Sequence, residues 1–334
     1  MDFEFLQNKI NGKWVISATN RSHRTNVGKA TDICPFCPGQ EVEEEELYRV
    51  PSVVSSQVSG ATSDHRPQKF DNQDTSNWSV RVIKNKFPFA PNHEVIIHSP
   101  DHHKNWDELP FSQVEFILQT YRQRYNAHKN PSALLRAGDQ VYIFHNRGRA
   151  AGESLPHPHT QLVVIPQNVK LDIPPLNPGI YKKESVVSSP RGEAGAQLSE
   201  VNFLETEHFL VFCPTTSEWP DEVWLAPKQN GGGFGFIKDS EITDLSFVLS
   251  RLIQIFDLRH GHEFPFNFYI PPLKNWYLRL IPRTKIIGGF ELGTNIIVNT
   301  QDPAETLRFI NEHFWEPDKE KIQSEHLAGY REKV

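Results

Sequence analysis

The sequence predicts an α+β fold built from one unit used twice and packed as an intramolecular pseudo-dimer. Three observations carry that reading. Short apolar stretches of strand length recur between turn signals in both halves. One long segment in each half places its apolar residues at helical spacing. The order strand, proline-containing turn, Glu-Val strand, helix, two strands appears on either side of a stretch rich in Pro, Ser and Gly.

The elements follow in order along the chain. Asn11-Gly12 is a hairpin signal, and the "GKWVISATNR" around it reads as strand and turn. Residues 38–75 read as polar and irregular, with Glu43 to Glu46 as a solvated acid run and "VVSSQVSGATSD" beyond it. "WSVRVIKN" and "HEVIIHS" are strands. "LPFSQVEFILQTYRQRYNAHKN" is a helix whose apolar positions include Val114, Phe116, Ile117, Leu118 and Tyr121. "QVYIFHNRG" and "TQLVVIP" are again strands, and residues 168–199 read as a linker. Past it, "EHFLVFCPTTSEWPDEVWLAPK" repeats the first strand pair and "SEITDLSFVLSRLIQIFDLRHG" the helix. "FNFYI" and "WYLRLIP" repeat the closing strands. "NGGGFGF" lacks the Lys-Ser/Thr of a phosphate-binding loop and reads as a flexible turn.

Composition narrows the function. At 334 residues there is ample material for a core, and 37% hydrophobic with 23% charged residues fits a soluble globular protein. No apolar run is long enough to span a bilayer, and "MDFEFLQNKINGKW" lacks the regions of a signal peptide, so the expectation is cytoplasmic with no membrane partner. A net charge of −6 argues against a general nucleic-acid surface. Three cysteines make no disulfide framework, and "CPFC" at Cys34 and Cys37 leaves metal binding and redox chemistry open.

The segment "GESLPHPHTQLVVIP", residues 152–166, is the most informative. Side chains alternate along a strand, so His157, His159 and Gln161 project to one side, at a strand entrance or edge because Pro158 cannot join a ladder. Three polar groups on one face are costly unless they face a site. The surrounding "FHNRGRAAGESLPHPHTQ" holds two glycines, two arginines and a serine, suited to close approach to a phosphate. Imidazole both attacks phosphorus and leaves it well, so a histidine can split a nucleotidyl transfer into two displacements. A glutamine two residues on can donate to the non-bridging oxygens. His145 reads as a hydrogen-bonded strand residue.

With these motifs the sequence resembles the galactose-1-phosphate uridylyltransferase branch of the histidine-triad (HIT) superfamily, over most of the chain. "GKWVISATNRSHR" resembles the N-terminal signature ending in Arg21 and Arg24. "CPFC" resembles the zinc dithiol, "NKFPF" the nucleotide-contact turn, and "SPDHHK" the Ser-Pro-Asp-His segment. "GESLPHPHTQ" resembles the active-site segment, and "KIIGGFELGTN" the segment that approaches the sugar.

The resemblance implies tandem HIT-like repeats, each an antiparallel sheet with helices. They would comprise residues 1–167 with the catalytic site and zinc, a linker at 168–199, and residues 200–334. It implies His159 as nucleophile, with Gln161 and Ser154 acting on the phosphoryl group. Substrate-binding residues would be Arg21, Arg24, Asn85, Phe87, Asn146, Arg147, Gly148, Lys285, Phe290 and Glu291, and Lys84 is a further local cation. One structural zinc would be held by Cys34, Cys37, His102 and His157, with His93, His98 and His103 left as surface or turn residues. Where some members bind a second metal, "NWYLRLIP" has no histidine and Arg279 stands in place of one, so a second site is expected to be absent. After Glu291 the family's glutamine is missing, and Lys86 stands where many members have aspartate.

The implied activity is UMP transfer between UDP-glucose and a hexose 1-phosphate such as galactose 1-phosphate. It would run by ping-pong kinetics through a uridylyl-histidine in a homodimer. A near alternative is an ADP-glucose phosphorylase-like adenylyltransferase with phosphate as acceptor. Remoter ones are a hydrolase, which typically has a third histidine at the place of Gln161, and a non-catalytic zinc-stabilised nucleotide-binding protein.

Overall fold

The structure is a computed structural model and describes residues 3–23, 34–40, 45–52, 77–129, 139–176, 203–229 and 231–331. Arg24 and most of the expected linker, residues 177–199, lie outside the described residues. A hairpin opens the chain, with β1 (Glu4–Gln7) antiparallel to β2 (Trp14–Ser17). Its turn is closed by Asn8, whose side-chain oxygen accepts from the Ile10 N–H at 2.8 Å, and Gly12 supplies the positive φ of 72°.

Everything else is organised by one antiparallel sheet of ten strands. The N-terminal half supplies β3 (Glu46–Pro51), β4 (Trp78–Lys84), β5 (Asn92–Ile97), β6 (Gln140–Arg147) and β7 (His159–Ile165). The C-terminal half supplies β8 (Leu204–Glu205), β9 (Phe209–Phe212), β10 (Val223–Pro227), β11 (Phe266–Ile270) and β12 (Leu278–Pro282). The order across the sheet is β3-β4-β5-β7-β6-β11-β12-β10-β9-β8. Each half therefore lays its five strands in the same internal order. They meet at the centre, where β6 pairs with β11 from Ile143↔Ile270 to Arg147↔Phe266.

Helix α1 (Phe111–Lys129) and helix α2 (Asp239–His260) cover one face and touch one another. The apolar stripe of α1, Val114, Ile117, Leu118, Tyr121 and Tyr125, is the face it buries. It meets Val80, Val82, Ile96, Ile143 and Leu162 from the strands, and Leu249, Leu252 and Ile253 from α2, in a single core. Glu94 on β5 pins the end of α1: its carboxylate receives Arg124 at 2.6 and 2.9 Å and His128 at 2.6 Å. Three shorter helices follow, α3 (Gly289–Thr294), α4 (Pro303–His313) and α5 (Lys319–Arg331).

One stretch departs from the sequence reading. Residues 38–75 contain strand β3, and Glu46 at its start is not a solvated acid. It receives Arg49 and the fully buried Arg81, each at 2.7–2.8 Å. A buried guanidinium requires a counter-charge, and the acid run provides it. Glu45 fits the surface reading better, with an exposed pair to Lys84 at 3.0 Å.

Candidate active site

Strand β7 opens on His159, and its period of two puts His159 and Gln161 on the face opposite the helices. Cross-strand pairing widens that face: Ile97 lies opposite His159, and Val95 and Phe144 flank Gln161. His159 is 4% exposed, and its Nδ1 lies 2.9 Å from the carbonyl oxygen of His157. A carbonyl only accepts, so Nδ1 carries the proton and Nε2 the lone pair. The ring of Phe36 meets the imidazole edge-on at 5.2 Å.

Behind the strand, on the helix side, Thr160 anchors a buried polar cluster. Its hydroxyl contacts the Tyr121 hydroxyl, His98 Nε2 at 2.8 Å and His145 Nδ1 at 3.2 Å. His145 Nδ1 also reaches the carbonyl of His159 at 2.9 Å, fixing the backbone at the head of β7. Burial holds both His98 and His145 well below the ordinary histidine pKa, so both are neutral. His98 was expected at a surface or turn; the alternation of β5 instead carries it on under α1, where it is fully buried.

Cys34, Cys37, His102 and His157 bring four ligand atoms within 4.8 Å of one another. Cys34 Sγ is 3.7 Å and Cys37 Sγ 3.6 Å from His157 Nδ1, and Cys37 Sγ is 3.2 Å from His102 Nδ1. Ligands of a tetrahedral zinc at ordinary bond lengths stand about 3.5 Å apart across N···S edges, so the spacing fits an ion at the centre. The donor chemistry fits as well. His157 Nε2 donates to the Ser99 carbonyl at 2.8 Å, which leaves Nδ1 as the lone-pair nitrogen aimed at the thiols. Burial lowers His157 to a pKa of about 4. Burial and the adjacent Cys34 push the Cys37 thiol up to about 11, as for crowded thiols with no cation between them.

The turn expected to contact a nucleotide, residues 85–89, packs against His93 at the start of β5. Asn85 Oδ1 accepts from the Phe87 N–H at 2.8 Å. Arg21 reaches the Phe87 carbonyl at 2.6 Å, and its guanidinium lies 5.0 Å from the Phe89 ring centre. His93, expected on the surface, is 2% exposed, with Nε2 2.9 Å from Gln161 Oε1. Its alternation with Val95 and Ile97 on β5 places it on the site face, and nothing in an isolated Asn-His-Glu signals that.

Comparison with known proteins defines the frame. Residues 7–165 match the family described as galactose-1-phosphate uridyl transferase, N-terminal domain. The N-terminal half of the chain is thus similar to galactose-1-phosphate uridylyltransferases. It is a transferase. An ADP-glucose phosphorylase of Arabidopsis thaliana is 24% identical over 355 aligned positions, covering 92% of this chain and 92% of the relative. The galactose-1-phosphate uridylyltransferase of Thermotoga maritima is 24% identical over 333, covering 92% and 98%. Among solved structures, an ADP-glucose phosphorylase from Arabidopsis thaliana has a TM-score of 0.61 at 23% identity, covering 93% of this chain and 99% of that one. A uridylyltransferase has 0.64 at 18%, covering 92% and 98%.

In this chain several expected contacts are turned elsewhere. Arg147 follows His145 by two on β6, so it points to the helix side. It is held there by the Pro156 carbonyl at 2.8 Å, Glu153 at 3.4 Å and Glu263 at 2.5 Å. The N–H of Gly148 donates to Glu153 at 2.9 Å rather than facing a phosphate. Gly148 has φ 79° and ψ 155°, and a Cβ there would stand 2.9 Å from Pro265 Cβ. Both residues shape the loop that carries the half-buried Ser154. Asn146 does lie on the site face, where its Oδ1 receives the Asn267 amide at 2.8 Å and Arg283 in turn bonds Asn267 at 2.9 Å. Asn267 and Arg283 escaped the sequence reading; the alternating Asn in "FNFYI" was the available signal.

The bonds of Lys285 and Glu291 remain in the C-terminal half. Lys285 contacts Glu291 and the Val298 carbonyl, and the Lys285 bond leads the causes that hold the Glu291 carboxyl below its usual range. Phe290 beside them is exposed. On β12, Arg279 bonds Glu222 at 2.8 Å, Glu218 at 3.0 Å and the Tyr269 hydroxyl at 2.9 Å. A second grouping of ligand atoms, Glu312, His313 and Glu325, lies on α4 and α5, with the Lys321 ammonium 3.8–3.9 Å from the two carboxylates.

Proposed function

We propose that the chain moves UMP between UDP-glucose and galactose 1-phosphate through a nucleotidyl group carried on His159. The observation that supports this most is the 2.9 Å bond from His159 Nδ1 to the His157 carbonyl. It puts the lone pair on Nε2, and the bond becomes charge-assisted as the ring turns cationic. Nε2 attacks the phosphorus that bears the nucleoside, forming an N–P bond. The bond from that phosphorus to the bridging oxygen breaks, and its electron pair leaves on the sugar 1-phosphate. An oxygen of the second sugar phosphate then attacks the same phosphorus, and the N–P pair returns to Nε2. Gln161 donates to the non-bridging oxygens, with Ser154 as a second donor and Arg21 as the near cation. Asn85 and Phe87 hold the nucleoside, and Asn146 lies at the C-terminal side of the site.

We assign zinc to the Cys34, Cys37, His102 and His157 group. When bound it supplies a fixed tetrahedral joint between the N-terminal arm and the active-site strand. The mirrored strand order supports two HIT-like units, residues 1–167 and 200–334, joined by 168–199. The exposed Ile286, Phe290, Leu292, Ile296 and Val298 form an apolar surface around Lys285 and Glu291. A second copy would cover it and so receive Lys285, Phe290 and Glu291 at its sugar site. No helix of the described residues is long and apolar enough to cross a membrane, and we assign the enzyme to the cytoplasm on its free cysteines.

A second reading, adenylyl transfer from ADP-glucose to phosphate, is favoured by two features. The exposed Lys86 follows Asn85 where aspartate is common, and the relative named ADP-glucose phosphorylase spans 92% of the chain. The protein is incubated with either nucleotide sugar and its intact mass measured. It is then discharged with galactose 1-phosphate or phosphate. A uridylyl group removed by galactose 1-phosphate supports the first reading. An adenylyl group removed by phosphate replaces it with the second.

A further inference from the structure

We propose that His93 is a positioning residue that aims the Gln161 carboxamide and ties its aim to the nucleotide-contact turn; this rests on the His159 reading above. Gln161 donates to a phosphoryl oxygen only if its amide nitrogen, rather than its oxygen, faces the phosphorus. Something must fix that choice, since a carboxamide offers both ends. His93 Nε2 lies 2.9 Å from Gln161 Oε1.

The Phe89 N–H points at His93 Nδ1, at 3.4 Å. A backbone N–H only donates, so Nδ1 carries the lone pair and Nε2 the proton. That proton binds Gln161 Oε1 and turns the Gln161 amide nitrogen outward. Asn85 Nδ2 stands 3.0 Å from the same Nε2, a contact suited to the opposite tautomer. We favour the first because it satisfies two contacts, Phe89 N–H to Nδ1 and Nε2–H to Gln161 Oε1, whereas the opposite tautomer satisfies only the Asn85 contact and sets the Phe89 N–H against Nδ1–H. The Phe89 ring also packs on His93 at 4.4 Å.

The same few atoms join the turn to the site. Asn85 accepts from Phe87, Arg21 holds the Phe87 carbonyl, and Phe89 holds His93. A nucleoside that settles the turn therefore settles His93, and through it the donor that meets the phosphoryl group. His93 itself touches no reacting atom.

The test has two arms. In the first, imidazole ¹⁵N resonances are recorded on the full chain without substrate. The expected result is a protonated Nε2 on His93, with its N–H signal moved by Gln161→Leu. A protonated Nδ1, or no response to Gln161→Leu, overturns the proposal whether or not any nucleotide sugar charges the protein. In the second, single-turnover charging by the active nucleotide sugar is compared for wild type, His93→Ala, Gln161→Ala and the double variant. His93→Ala should slow charging about 10- to 100-fold with KM changed less than about threefold. Gln161→Ala should then cost far less in the His93→Ala background than in wild type. Independent, multiplying losses would sink the idea, as would a His93→Ala defect confined to KM. Wild type left uncharged by either sugar contradicts the transferase reading, and the first arm still decides on His93.

Discussion

His159 is held by one near and one distant part of the chain: the carbonyl two residues back sets its tautomer, and Phe36 bounds its ring. His159→Ala should therefore abolish nucleotidylation while leaving the far-ultraviolet circular dichroism unchanged, since one edge of a packed strand is all that is removed. Retained transfer at near-normal rate would show that another group attacks phosphorus. Gly148 makes a different prediction. Its φ and ψ lie where essentially only glycine is stable, and Pro265 blocks a Cβ. Gly148→Ala should cost about 1–3 kcal/mol in urea unfolding. His159 and Gln161 were legible because strand alternation is written directly in "HPHTQ". Arg147 and His93 were not. Which face they take depends on neighbouring strands, and an arginine beside a glycine looks the same whether it meets a phosphate or a glutamate.

Elements meet here through a few charged pairs and one candidate metal-binding group. The dithiol of "CPFC" and the histidines of "SPDHHK" and "GESLPHPHTQ" come from three separate segments. Cys34→Ser should lower bound metal and the melting temperature together, read by metal analysis and calorimetry; unchanged stability would count against a joint. The pH dependence has a definite sign. The Cys37 thiol sits up at about 11 without an ion, so binding displaces protons and affinity must fall as pH falls. Competition with a chromophoric chelator should show at least about tenfold weaker binding per pH unit between pH 8 and 6. Glu94→Ala should cost about 2–4 kcal/mol, because the half-buried Arg124 and His128 would both lose their carboxylate partner. These long-range pairs explain what the sequence hid. Strand β3 was missed because its acid run looks solvated until the buried Arg81 is placed behind it.

Over the whole molecule, the repeated order of strands and helices was readable from pattern alone. The single ten-stranded sheet was not, because no local signal announces the β6–β11 seam. Folding also buries His98 and His145 in neutral form behind the active-site strand. Both have folded pKa values below the ordinary 6.5, so their contribution is complete above that pH. It is lost as pH falls towards the folded values, at up to about 1.4 kcal/mol per pH unit for each group. Urea titrations at pH 7.5, 6 and 5 should show that decline, flattened in His145→Phe. An equal slope in the variant would remove His145 from the account. The most direct test of the central claim is intact mass followed by peptide mapping after exposure to UDP-glucose and to ADP-glucose. The prediction is one nucleotidyl group per chain, located on His159, absent in His159→Ala, and removed by a phosphate acceptor. Turnover with no adduct, or an adduct on any other residue, would contradict it.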